Sequence, residues 1–268
     1  MSRTTSRRIS ARPPALVLAL ALVGLSLVVL PLVGLVTQTP WRDLGSLLTS
    51  PPVMDALRLS LVASGAAALL SLLFGVPLAW MLARVDFRGK ALVRGLVILP
   101  MVVPPVVGGA ALLFAFGRRG IIGEPLYDAT GFLFPFSMWG VILATTYIAM
   151  PFMVLTVEGG LRNLDQRYES AAATLGAKRW TVFRRITLPL IGPSLIAGLV
   201  LAWARALGEF GATITFAGNL QGRTQTMPLA VFLALEQDRG AAVAMSLLLV
   251  VVSLVVLVAL RHRWWPVR

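Results

Sequence analysis

Cysteine is absent from all 268 residues, which excludes disulfides, thiol catalysis, iron–sulfur clusters and cysteine-ligated zinc together. Acid is scarce, with 11 Asp and Glu against 24 Lys and Arg, a formal charge of +13. Histidine occurs once, as His262 in a basic C-terminal stretch, where a solvated or headgroup-level place suits it better than metal ligation. Charged residues make up only 13%, against roughly 25% in a soluble domain, whereas hydrophobic residues reach 57%. The mean hydropathy is +0.85. A globule of this size cannot hide so much apolar surface from water. A soluble enzyme and a disordered tail are thereby excluded, and an integral membrane protein remains. Its basicity belongs to cytoplasmic membrane flanks, and no nucleic-acid partner is expected.

What the sequence does contain is long apolar runs. About 20 mainly apolar residues cross the roughly 30 Å hydrocarbon layer. Six segments qualify: 15–36, 57–82, 92–116, 137–157, 190–207 and 241–260. None shows the alternation of an outer-membrane barrel strand, so the expected fold is an all-α, six-helix polytopic membrane protein. The third segment holds Pro100, Pro104, Pro105, Gly108 and Gly109. Neighbouring helices can satisfy the backbone groups freed there, so it reads as one kinked span. The fifth is the shortest; it reads as opening at Pro189 and runs into Gly208. The first follows four arginines, as a secretory signal would. Its apolar stretch of about 22 residues exceeds the 7–15 of a signal core, and no Ala-x-Ala-like site follows, so it reads as a retained helix.

Basic residues set the orientation. With a cytoplasmic N-terminus, the inner segments carry Arg3, Arg7, Arg8 and Arg12, then Arg84, Arg88, Lys90 and Arg94. They continue with Arg162, Arg167, Lys178, Arg179, Arg184 and Arg185, and end with Arg261, Arg263 and Arg268. The remaining seven, Arg42, Arg58, Arg118, Arg119, Arg205, Arg223 and Arg239, fall outside or near outer helix ends. The asymmetry predicts both termini in the cytoplasm. Trp264 and Trp265 read as an interfacial anchor for the last helix. The stretch Ala83–Lys90 reads as a short basic inner turn.

Chemistry is hard to find in this chain. It has no GxxxxGK phosphate loop, no HExxH, no GxSxG and no paired carboxylates within a span. Glu158 and Glu209 fall at helix ends rather than in mid-membrane, where an ion-coupled carrier would place its acids. No catalytic residue, cofactor or metal is expected, and energy for transport must come from a partner.

Residues 158–189 are the most informative. Asp165 or Asn163 can cap a short helix on which Tyr168, Ala171, Ala172 and Leu175 recur at helical spacing. Gly176 can end that helix in a left-handed conformation. A second amphipathic piece follows, with Trp180, Phe183 and Ile186 opposed to Lys178, Arg179, Arg184 and Arg185. Periodicity alone leaves two readings open, a helix lying on lipid headgroups and a helix docking on a partner.

The run Glu169-Ser170-Ala171-Ala172, then Gly176, then Ile186-Thr187-Leu188-Pro189, resembles the EAA loop of ABC importer permeases, with serine in place of one alanine. The resemblance covers roughly residues 55–260. It implies a type I importer fold preceded by a tail, first helix and outer loop over 1–54, with a cytoplasmic tail over 261–268. It also implies that Glu169, Ser170, Ala171, Ala172, Gly176, Ile186, Leu188 and Pro189 dock on a cytoplasmic ATP-binding subunit that holds the nucleotide. The permease would work as a homodimer in the lipid bilayer.

A second signature runs from Ala204-Arg205-Ala206-Leu207-Gly208-Glu209-Phe210-Gly211 through Asn219 and resumes at Gly222–Leu229. It resembles permeases for tetrahedral oxyanions and is most similar to those for molybdate; sulfate permeases share the Ala-Leu-Gly-Glu core. The resemblance implies molybdate or tungstate, delivered by an extracytoplasmic oxyanion-binding protein. Read physically, Arg205 and Glu209 are four apart and can pair on one helix face. Alternatively, Arg205 faces a water-filled path with Gly208, Gly211, Thr213 and Thr215 near a gate. An ion-coupled carrier or channel, and a membrane scaffold, are the competing classes.

Overall fold

The structure, a computed structural model, describes residues 14–264 and side chains as far as Ala259. The arginines of the N-terminal tail and the side chains of Arg261, His262, Arg263, Trp264, Trp265 and Arg268 lie outside the described set. No strand occurs among the described residues. In chain order the helices are α1 (Ala15–Thr37), α2 (Leu44–Leu48), α3 (Pro51–Arg84), α4 (Lys90–Val102), α5 (Pro105–Phe116) and α6 (Gly123–Thr130). They continue with α7 (Met138–Asn163), α8 (Arg167–Thr174) and α9 (Arg179–Val182), a π-helical turn over Phe183–Thr187, and α10 (Leu188–Leu190). The last four are α11 (Gly192–Leu207), α12 (Gly211–Ala217), α13 (Met227–Gln237) and α14 (Arg239–Trp264).

Four of these, α1, α3, α7 and α14, are long and apolar enough to cross a membrane. Six spans result only when each of two bent pairs is taken as one. The expected single kinked third span is corrected here. It is two helices, α4 and α5, bent by 119°. Val103 between them is extended, at ψ 136°, because the residue before a proline is pushed out of the helical region. Pro104 and Pro105 then supply no N–H to continue the ladder, and Pro105 opens α5 in the first helical turn. At 1.5 Å per residue α4 and α5 are each about 20 Å long, short of the roughly 30 Å needed to cross.

The fifth segment also differs from expectation. The stretch Arg179–Leu190 meets α11 at 70°, and α11 opens at Gly192 with Pro193 in its first turn, so Pro189 belongs to the preceding piece.

The centre of the fold is a bundle of α3, α7 and α11. Its buried surface interleaves small residues, Ala67, Ala79, Ala149, Ala202 and Ala206, with larger ones such as Leu82, Val154, Leu161 and Met153. Lipid tails are as apolar as leucine, so helices in a bilayer associate through close van der Waals packing rather than by escaping water. Gly75 of α3 and Gly198 of α11 both face Met153 of α7, and each leaves room for that side chain. Helix α14 packs on α11 and α13; α1 lies against α14 with no side chain buried. Ser60 of α3 accepts the Met227 N–H at 2.7 Å, satisfying an amide at the start of α13 from a distant helix.

Gly160 of α7 lies so close to α11 that a Cβ there would fall 2.6 Å from the Ser194 Cβ. Gly160→Ala should therefore destabilise the protein by about 1–3 kcal/mol, the usual range for overpacking. Pairing it with Ser194→Gly should recover most of the loss. Thermal unfolding of the three variants in detergent measures both effects.

Candidate functional site

Two regions carry the candidate residues, one on each side of α11. In the first, Asp165 accepts the Arg167 N–H at 2.9 Å at the entrance to α8. The helix ends as Gly176 was expected to end it, at φ +82°. The Ala177 N–H bonds the Ala172 carbonyl and the Gly176 N–H bonds the Ala173 carbonyl, both at 3.0 Å, so two orphan carbonyls of the last turn are satisfied. A left-handed φ is costly for a residue with a Cβ, which fixes glycine at this position.

The apolar stripe of α8 points away from the rest of the chain. Leu175 is 88% exposed and Tyr168 is 58% exposed, with Ser170 and Ala171 also exposed and Ala172 half-buried. Glu169 takes the opposite side. Its Oε1 accepts the Thr187 hydroxyl at 2.6 Å, and its Oε2 lies 3.2 Å from Arg84 Nη2. Thr187 belongs to the π-helical turn and is buried. Ile186 and Leu188 on either side are half-buried, Leu188 reaches the α3–α7–α11 core, and Pro189 is exposed. The reading of Ala83–Lys90 as an ordinary basic turn is corrected for Arg84, which has an individual carboxylate partner. Sequence reasoning missed Arg84 because nothing local marks a partner so distant in the chain.

The aromatic residues of the following piece cluster together. Trp180 stacks on Phe183 at 5.6 Å between ring centroids, and Phe183 meets the edge of Trp80 at 6.2 Å. Glu158, near the end of α7, is buried and binds Arg94 of α4 at 2.5 Å and Arg162 of its own helix at 3.0 Å. That pair joins α4 to α7.

In the second region α11 stops at Leu207, and Gly208–Phe210 turn the chain into α12. The Arg205–Glu209 pair forms, at 2.6 Å. It is not confined to one helix face, because Glu209 lies beyond the end of α11. The Glu209 side chain is 1% exposed. While Oε2 meets Arg205, Oε1 accepts the Ala212 N–H at 2.8 Å, so one carboxylate neutralises an arginine and caps the next helix. The Arg205 side chain keeps 28% of its surface open.

The candidate glycines and threonines separate by role. A Cβ at Gly211 would fall 2.9 Å from the Pro105 Cβ, and a Cβ at Gly109 would fall 2.7 Å from the Thr215 Cβ and 2.8 Å from the Ala212 carbonyl. Both glycines thus lie in the α5–α12 contact, Gly109 against Ala212 and Thr215 and Gly211 against Pro105. Gly208 needs no such space, since a Cβ there would touch only the Ala204 carbonyl at 3.7 Å. Thr215 donates to the Gly211 carbonyl at 2.8 Å, the usual bond of threonine within a helix. Thr213 does not; its hydroxyl is buried with no partner among the described residues. Between the two regions lies α11, about 24 Å long at 1.5 Å per residue, so the structure keeps the α8 region and the Arg205 group apart.

This architecture is the type I permease fold of ABC importers. It superposes on a chain of a bacterial alginate ABC transporter, in complex with its alginate-bound periplasmic protein, with a TM-score of 0.73, at 22% identity and covering 92% of both chains. A chain of the MetNI methionine ABC transporter aligns with a TM-score of 0.62, at 16% identity over 79% of this chain and 95% of that one. Residues 75–262 match the family described as "Binding-protein-dependent transport system inner membrane component", and the chain belongs to that family. It is a multi-pass inner-membrane transporter subunit rather than an enzyme.

Among individual relatives, the molybdenum transport system permease protein ModB of Mycobacterium tuberculosis is 47% identical over 91% of this chain and 92% of its own length. ModB of Escherichia coli is 45% identical over 81% of this chain and 95% of its length. The sulfate transport system permease protein CysT of Escherichia coli is 35% identical, over 86% and 84% respectively.

Glu209 gives a direct test of the second region. Removing one member of a buried ion pair strands the other, typically at about 3–5 kcal/mol. Arg205→Gln and Glu209→Gln should each lower stability, and the double variant should lose less than the sum. Glu209→Ala should lose more than Glu209→Gln, because glutamine retains an acceptor for the Ala212 N–H. Unfolding midpoints of the four variants decide the matter.

Proposed function

We propose that this chain is the membrane-spanning permease of an ATP-driven molybdate importer. The observation that carries the reading is its 47% identity to a molybdenum permease over nine-tenths of both chains, against 35% for a sulfate permease. Two copies would form the translocation path between them. An extracytoplasmic oxyanion-binding protein would deliver the anion, and each copy would engage one cytoplasmic ATP-binding subunit. Both termini and residues 158–189 would face the cytoplasm, as the arginine and lysine asymmetry requires.

The docking surface would be the outward stripe of Tyr168, Ala171 and Leu175, with Ser170, Ala172 and Gly176 completing its shape. The small residues allow close approach, and Gly176 sets the angle at which the chain leaves the helix. Ile186, Leu188 and Pro189 would carry the motion to α11. Nucleotide can drive the cycle only if the ATPase binds two permease states with different affinity.

At the far end of α11, Arg205 would present positive charge to an oxyanion, with Gly208, Glu209, Gly211, Thr213 and Thr215 around it. The free Thr213 hydroxyl and the open part of Arg205 favour this role, since a buried polar group without a partner is costly. Glu209 would hold Arg205 in place and close α12.

Uptake of labelled molybdate by cells expressing the chain with its ATPase and binding protein tests the substrate. Unlabelled tungstate should compete and sulfate should not; strong sulfate competition would move the chain to the sulfate branch. Orientation is tested on the cysteine-free chain. A cysteine at Lys178 should resist an impermeant thiol reagent in intact cells, and labelling from outside would overturn the topology.

A further inference from the structure

We propose that Arg84 is the positioning residue that ties the docking helix α8 to the core helix α3, so that displacement of α8 reaches the α3–α7–α11 bundle. The proposal rests on the reading that α8 meets an ATPase.

Helix α8 has no buried side chain, so packing alone does not fix it to the rest of the chain. What fixes it is Glu169. One carboxylate oxygen takes the hydroxyl of Thr187, in the π-helical turn that leads towards α11. The other faces Arg84, the last residue of α3. Three segments distant in sequence therefore meet on one side chain, and two of them continue into helices that pack on each other. π-Helical turns inside a longer helical stretch concentrate at functional positions, and Thr187 within this one is 1% exposed.

The Arg84 side chain is only 10% exposed. Its contact with Glu169 is an ion pair without hydrogen-bond alignment, since Nη2 and Nε are buried and donate to no acceptor among the described residues. Beside it lies a cavity of about 480 Å³, whose lining includes Arg84, Asp86, Glu169, Ala177, Arg179 and Thr187. The pair thus holds α8 by a single charge contact at the edge of an open cleft rather than by close packing. A partner pulling or pushing on the exposed stripe of α8 acts on α3 through Arg84 and on the π-helical turn through Thr187. Charge, rather than the arginine fork, is the property the geometry requires, so lysine at position 84 should serve.

The test uses the full chain in two settings. In detergent, without partner, Arg84→Gln should speed amide exchange over residues 167–174 at least about fivefold, and Arg84→Lys should stay near wild type. In liposomes, the chain reconstituted with the ATPase that co-purifies with it is assayed for molybdate uptake per ATP hydrolysed. Arg84→Gln should keep ATPase assembly but lose coupling by about fivefold or more, the lower end of typical inter-site couplings. Glu169→Gln should lose as much, and the double variant no more than either, because the two residues act as one unit. Arg84→Met, which keeps the aliphatic stem and removes only the charge, serves as the second variant should Arg84→Gln fail to fold, with the same losses expected in both measurements. Wild-type exchange or wild-type coupling in Arg84→Gln would overturn the proposal, as would additive losses in the double variant. If no ATPase assembles with the wild-type chain, the docking reading fails instead, and amide exchange still decides whether Arg84 holds α8.

Discussion

A carboxylate taken out of water must find a cation or a set of hydrogen-bond donors, because its desolvation otherwise costs several kcal/mol. In a chain with 11 acids among 268 residues, the few that are withdrawn from solvent mark where the fold is tied together. Glu158 binds Arg94 and Arg162, joining α4 to α7. Glu169 binds Arg84 and Thr187, joining α8 to α3 and to the π-helical turn. Glu209 binds Arg205 and the Ala212 amide, joining α11 to α12. Each of the three ties one helix to another piece of the chain, Glu158 and Glu169 from within their helices and Glu209 from the break between α11 and α12, where backbone hydrogen bonding is interrupted. Apolar contacts between the long helices hold the bundle, and these charged clasps place its shorter pieces.

Close packing supplies the second constraint. Gly75, Gly160 and Gly198 bring α3, α7 and α11 together, while Gly109 and Gly211 do so for α5 and α12. Added methyl groups at these sites would meet backbone atoms or neighbouring side chains, so the glycines act by the volume they leave empty. The α5–α12 contact also explains why a short helix follows the break at Gly208–Phe210. Phe216 of α12 is buried against Leu112, Ala144 and Ile148, which anchors α12 after the chain has turned.

These constraints divide the molecule functionally. The end of α11 near Thr187 carries the exposed apolar stripe of α8, a surface with no partner among the described residues. The opposite end carries a partly open arginine, a buried carboxylate and a threonine hydroxyl without a partner. A stiff helix of about 24 Å connects them. In an ATP-driven permease the two ends must communicate, and α11 together with the packed α3 and α7 is the physical route the fold offers. Nucleotide chemistry belongs to a separate subunit in this family of transport components.

Much of this was readable from residues alone. Long apolar runs specify membrane helices because a bilayer leaves the backbone no other partner, and segments one, two, four and six appear as uninterrupted helices. The Gly176 terminator was legible because only glycine takes a left-handed φ cheaply, and the Arg205–Glu209 spacing announced its ion pair. The helix breaks were less so. Pro104 and Pro105 signal an interruption, but its size, 119°, depends on which neighbours receive the two halves. That Gly109 meets Ala212 and Thr215, that Ser60 caps α13 and that Arg84 faces Glu169 could not be read locally, since each contact joins residues far apart in sequence. Composition and periodicity determine which segments are helical and which faces are apolar. Only the packed structure decides which of those faces meet, because that choice depends on steric fit and charge partners that exist once the helices have assembled.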